Sequence, residues 1–247
     1  MTTPRSPTNT ITTENRIDMP ELFSAGLLRL LHLCSPTLPI GMFAYSQGLE
    51  GATSAGWVHD EASARDWVVT LLESQLATLD LAVLAHLCEA WGDDASAAPA
   101  RVTAWSAFLW ASRPSAELQM EERHLGSALA RVLAGLGLPE ASTWMGREDV
   151  TYATMFSLAA HRWGIPPRPA AQGFAFAWAE AQISAAVRLV PLGQSAGQRI
   201  LAFAAAAIPA TVERAFALPT DEIGAASPRL ALASAWHETQ YSRLFRS

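Results

Sequence analysis

The chain has 247 residues, enough for one large domain or two small ones. Only 16 % of them are charged while 50 % are hydrophobic, so much apolar surface must be buried internally or against partners. The net charge of −6 argues against nucleic-acid binding, and all 17 basic residues are arginine, which removes a P-loop lysine, a Schiff-base lysine and a lysine general base together.

Residues 1–19 are rich in Thr, Ser, Asn and Pro and read as a disordered tail ahead of one domain over 20–247. Glu21 to Cys34 carries leucines at helical spacing, with Pro36 just beyond its end. Pro36 and Pro39 then forbid a continuous helix, Gly41 permits a bend, and Phe43 and Tyr45 follow in a kinked turn. Tyr45 to Ala55 reads as a short helix in which Gly48 and Gly51 point to close backbone packing, and Gly56 fits its cap. Asp60 reads as the N-cap of a long helix through Trp91, with Asp80 and His86 at the polar edge of its apolar stripe.

Ala100 to Ser112 is helical and carries Trp105 and Trp110, and a further helix runs from Ser115 to Leu136. Its Glu121-Glu122-Arg123-His124 cluster reads as a solvated face. Asp149 is expected to cap Val150 to Trp163, which Gly164 terminates. Ala170 to Val190 is apolar nearly all round, so it sits centrally or at a subunit contact, with Arg188 as its exposed handle. Gln194 to Leu218 should kink or break at Pro209, and Arg229 to Thr239 forms a last short helix. No alternating strand is found. The expected fold is all-α, a single-domain bundle of eight to ten helices.

No reaction is legible. The six histidines are scattered singly, and His-Glu-x-x-His and phosphate-cradling glycine loops are missing. Cys34 and Cys88 form no C-x-x-C pair. The longest uncharged apolar run, Ile200 to Val212, falls short of the ~20 residues of a membrane helix, and no signal peptide is read. These features favour a cytoplasmic binding protein without catalytic residues, metal ligands or cofactor. An all-helical enzyme with an aromatic small-molecule pocket is the alternative.

Four segments in order carry a family resemblance: Leu38 to Glu50, Ser115 to Gly126, Val190 to Leu201 and Tyr241 to Ser247. Together they resemble the urease accessory protein F family over roughly residues 22–247. The resemblance implies an all-helical homodimer that joins the urease accessory D/H protein and the accessory G GTPase to deliver nickel to apo-urease. It places GTPase docking at Phe43, Tyr45, Ser46, Gly48 and Glu50. It assigns the D/H protein to Tyr241, Ser242, Arg243, Leu244, Phe245 and Arg246, a tail that orders on binding. Gln194, Gln198 and Arg199 would lie near a proposed nickel passage. Tyr241, Leu244 and Phe245 between arginines also have the composition of interface anchors.

Overall fold

Capping chemistry sets where several helices begin. A computed structural model describes residues 25–94, 96, 98–224 and 227–247, and the expected 1–19 tail lies outside them. Among the described residues there are ten α-helices and no strand, in agreement with an all-α domain. They are α1 (Ala25–Leu33), α2 (Leu49–Ser54), α3 (Glu61–Leu71), α4 (Leu81–Ala90), α5 (Ala98–Ala111), α6 (Ala116–Gly135), α7 (Tyr152–Arg162), α8 (Pro167–Leu189), α9 (Gln194–Phe216) and α10 (Pro228–Glu238). Asp60 starts α3 through a reciprocal capping box with Ser63, and Ser115 starts α6 by accepting the Leu118 amide. Helix α7 is capped by Thr151 rather than Asp149. Asp149 is instead held by Arg147 at 2.7 and 2.8 Å, which keeps its carboxyl below the usual range.

Helix α8 is the centre. It packs against α1, α2, α3, α4, α7 and α9, which accounts for a sequence apolar on nearly every side. Its Phe174 meets Tyr152 and Phe156 of α7 with ring centroids 5.1 and 5.4 Å apart. Fully buried leucines such as Leu84, Leu129 and Leu133 each contribute roughly 1.5–3 kcal/mol to this core. Helix α9 runs on through Pro209 as one element, so of the kink or break expected there the break does not occur.

The helix expected from Asp60 to Trp91 is continuous but not uniform: α3 and α4 are joined by a π-helical stretch, Leu72–Asp80. In an α-helix residues five apart point ~140° from one another. The wider π winding bonds i to i+5 and brings such residues nearly onto one face. Gln75 and Asp80 are five apart, and both are buried. The polar-edge reading of Asp80 therefore fails, since its carboxylate is buried and paired with Arg113. By length and composition the 30-residue span Glu61–Ala90 could cross a membrane, a feature that the search for uncharged runs passes over. Here 72 % of its apolar window is buried inside the fold.

Close backbone approach is confirmed at Gly51. A Cβ there would lie 2.2 Å from the Ala233 carbonyl oxygen of α10, so only glycine lets α2 and α10 meet this closely.

Candidate partner-binding site

The chain's last residues fold back onto the segment that leads into α2. Gly48 adopts φ +77 at the start of α2, a conformation that favours glycine, and turns the Ser46 to Glu50 backbone toward them. The Ser46 N–H donates to the Ser247 carbonyl and the Arg246 N–H to the Ala44 carbonyl, each at 2.9 Å. Glu50 closes the junction: the amides of Leu244 and Phe245 both donate to its carboxylate at 2.8 Å. Hydrogen bonds of this charged kind contribute about 1.5–3 kcal/mol each.

Helices α6 and α10 complete it. His237 is fully buried between two carboxylates, with Nδ1 2.6 Å from Glu117 and Nε2 3.2 Å from Glu50. Glu117 also pairs with Arg243 of the tail at 2.6 Å. One turn further along α6, Glu121 accepts from Gln47 at 2.6 Å and from Ser247 Oγ at 2.7 Å. Burial pushes the Glu121 carboxyl up to about 7. From α8, the Trp178 indole N–H donates to Gln47 Oε1 and the Gln182 amide to the Ser46 carbonyl. The hydroxyl of Tyr45 meets His124 Nδ1 at 2.9 Å.

Beneath this junction Arg113 bridges Asp80 and Glu122, and Glu122 also accepts the Tyr152 amide at 3.0 Å. Glu121 and Glu122, read from sequence as part of a solvated face, are thus buried. They are satisfied by residues from a turn, the tail, the α5–α6 connection and the start of α7, which adjacency in sequence does not reveal. Two cavities of about 30 and 20 Å³ lie against Gln47, Asp80, Arg113, Glu121 and Glu122. The larger also has Tyr152 and Gln182 in its wall, and each is of the size that holds a single water.

The UreF family profile matches residues 58–205, from just before α3 into α9. The chain belongs to the UreF family. It is 47 % identical over 219 residues to the urease accessory protein UreF of Alkalilimnicola ehrlichii, spanning 89 % of this chain and 95 % of that one. It is equally 47 % identical to UreF 2 of Brucella anthropi, over 90 % and 96 % of the two chains. A UreF of Pseudomonas putida matches at the same level over 90 % and 97 %.

In this UreF-family chain the residues singled out from sequence fall into two groups. Tyr45, Ser46, Gly48 and Glu50 are buried, and Phe43 is half-buried. In the tail, Phe245 turns inward beneath the Arg188 guanidinium, while Tyr241, Ser242, Arg243, Leu244 and Arg246 are exposed. A tail that orders only on binding is not what the structure shows, since it is already docked on its own chain. Gln194, Gln198 and Arg199 are exposed at the start of α9. Gln194 and Gln198 share a depression of about 370 Å³ with Phe43, Glu180 and Arg188, whereas Arg199 pairs with Glu61 at 2.7 Å.

Sequence reasoning missed Gln47, Glu117, Glu121, Gln182 and His237. One signal was available: Glu117 and Glu121 are four apart, so on α6 they share a face and can meet one partner segment. For His237, a lone histidine between Trp and Glu, no local pattern marks the role.

Proposed function

We propose that this chain is a non-catalytic urease maturation factor. In this reading it acts in the cytoplasm as a homodimer. It holds the accessory D/H protein and the accessory G GTPase together for GTP-dependent nickel insertion into apo-urease. Relatives that share almost half of its residues are named urease accessory proteins, which supports the urease connection. The single observation that carries the scaffold reading is the junction itself. The segment assigned to the GTPase and the tail assigned to the D/H protein are hydrogen-bonded into one unit through Glu50, Ser46 and Ala44. A partner gripping the exposed Tyr241 and Leu244 would therefore bear on the backbone that presents Phe43.

Co-purification with the cognate D/H and G proteins, with nickel and GTP present, tests this reading. Tyr241→Ala with Leu244→Ala should cost D/H capture and spare the GTPase, while Phe43→Ala should do the reverse. Capture of neither partner by the unaltered chain would sink the scaffold and turn attention to the enzyme alternative.

One observation favours a second role. The segment Ser35 to Glu50 has no arginine, but the tail brings the exposed Arg246 beside Ala44. An arginine offered to a GTPase site is a physical device for accelerating hydrolysis. Arg246→Ala should then lower GTP turnover in the assembled complex without loss of GTPase capture; unchanged turnover removes this role.

A further inference from the structure

Glu121 differs from every other carboxylate in the junction. Glu50 faces two backbone amides and His237, Glu117 faces His237 and Arg243, and Glu122 faces Arg113. Glu121 is just as buried, yet among the described residues no arginine or histidine contacts it. Its two partners are the neutral Gln47 amide and the Ser247 hydroxyl. These belong to the two segments that the junction joins, the turn before α2 and the end of the tail. The charges around it are already committed. On α6, Glu117 lies one turn back, Glu122 is adjacent and His124 is bonded to Tyr45. Arg113 is shared between Asp80 and Glu122, and the tail offers Arg246 toward Tyr45 rather than toward Glu121. The facing residues of α8, Trp178 and Gln182, are uncharged.

We propose that Glu121 is a protonation-controlled latch that locks the tail onto the Ser46–Glu50 turn when neutral and loosens it when ionised. As the neutral acid, Glu121 accepts the Gln47 amide on Oε1 and shares a hydrogen bond with Ser247 Oγ through Oε2. When its proton leaves to solvent, the carboxylate keeps the Gln47 and Ser247 donors and feels Arg113 from a distance, but no cation touches it to offset its burial. Ser247 is itself fully buried over Glu121, so its displacement opens the carboxylate to bulk solvent. The direction follows from linkage. Burial raises this carboxyl from 4.5 to about 7 in the docked chain, so the stabilisation of docking is complete below the undocked value and is lost as pH rises through the docked one. With an ordinary carboxyl in the undocked state, the docking equilibrium should weaken by about 70-fold between about pH 5 and about pH 8. The latch concerns the chain's hold on its own tail, so it stands or falls independently of which partners the protein binds.

Hydrogen–deuterium exchange of the full chain reads it directly, because the amides of Leu244, Phe245 and Arg246 are the ones that close the junction. After correction for intrinsic base-catalysed exchange, their protection should fall by tens-fold across that pH range in the unaltered chain and stay flat in Glu121→Gln. Flat protection in the unaltered chain, or the same fall in Glu121→Gln, overturns the latch. Should Glu121→Gln fail to fold, a carbon-detected titration of the glutamate carboxyls in the unaltered chain decides. A Glu121 midpoint near neutrality supports the latch, and one near ordinary carboxylate values ends it.

Discussion

Two arginines of the same chain, each bound to carboxylates, sit in opposite surroundings. Arg113 is enclosed with Asp80 and Glu122 under the α2–tail junction, whereas Arg199 reaches across solvent from α9 to Glu61. In the first region charges have been taken out of water, so each needs its partner and each loss leaves another group stranded. In the second, water solvates both ions whether or not they touch. The lesson is that the polar interior of this UreF-family protein is concentrated where distant segments meet. The start of α9 keeps its polar groups available to outside partners.

The largest expected effect comes from Arg113→Leu, which leaves Asp80 and Glu122 buried without a cation. It should cost about 3–5 kcal/mol in chemical unfolding. A cost under 1 kcal/mol would mean that water or a rearranged side chain already shields the two carboxylates, and the contrast between the regions would collapse. Next comes Gly51→Ala, whose Cβ would press on the Ala233 carbonyl and force α2 and α10 apart. About 1–3 kcal/mol is expected, with faster exchange at the tail amides because α10 carries His237 into the junction. Glu50→Gln is milder. It keeps the volume but removes the charge that holds Leu244 and Phe245, and it should loosen the tail by about 1–2 kcal/mol with the helical circular dichroism unchanged. Proteolysis of the tail at native conditions would report it, and a tail as resistant as in the unaltered chain would show that Ser46, Glu117 and Glu121 suffice.

Much of the fold was legible because it depends on local rules. The Asp60 cap, the prolines at 36 and 39 and the leucine spacing place most helices near their true limits, and the run of 170–190, apolar on nearly every side and read as central or at a subunit contact, falls in the central helix. What was not legible depends on winding and on long-range pairing. Asp80 was misread because a lone carboxylate beside an apolar stripe usually faces water, and the Arg113 that pairs with it lies in another segment. Glu121 and Glu122 were misread because a run of charged residues usually means solvent, and the residues that satisfy Glu121 come from positions as distant as Gln47 and Ser247. Thr151 displaced Asp149 as a cap because Arg147 had already engaged that carboxylate. The site followed the same division. Its segments could be named from sequence, but their meeting at Glu50 could not.

The smallest effect on stability, and the one that sharpens the comparison most, is expected at the start of α9. Arg199→Ala removes an ion pair between two solvent-exposed side chains, so the unfolding midpoint should not move measurably. Gln198→Ala should behave alike, since its side chain lies in the open depression beside Phe43. If this face serves a partner, both variants will fold normally and yet weaken capture of that partner, a separation that no substitution in the buried junction can give. A clear drop in stability for Arg199→Ala would contradict the division between an interior that holds the tail and a surface that is free to bind. Unchanged stability with unchanged capture would confine the partner contacts to Phe43 and the exposed tail.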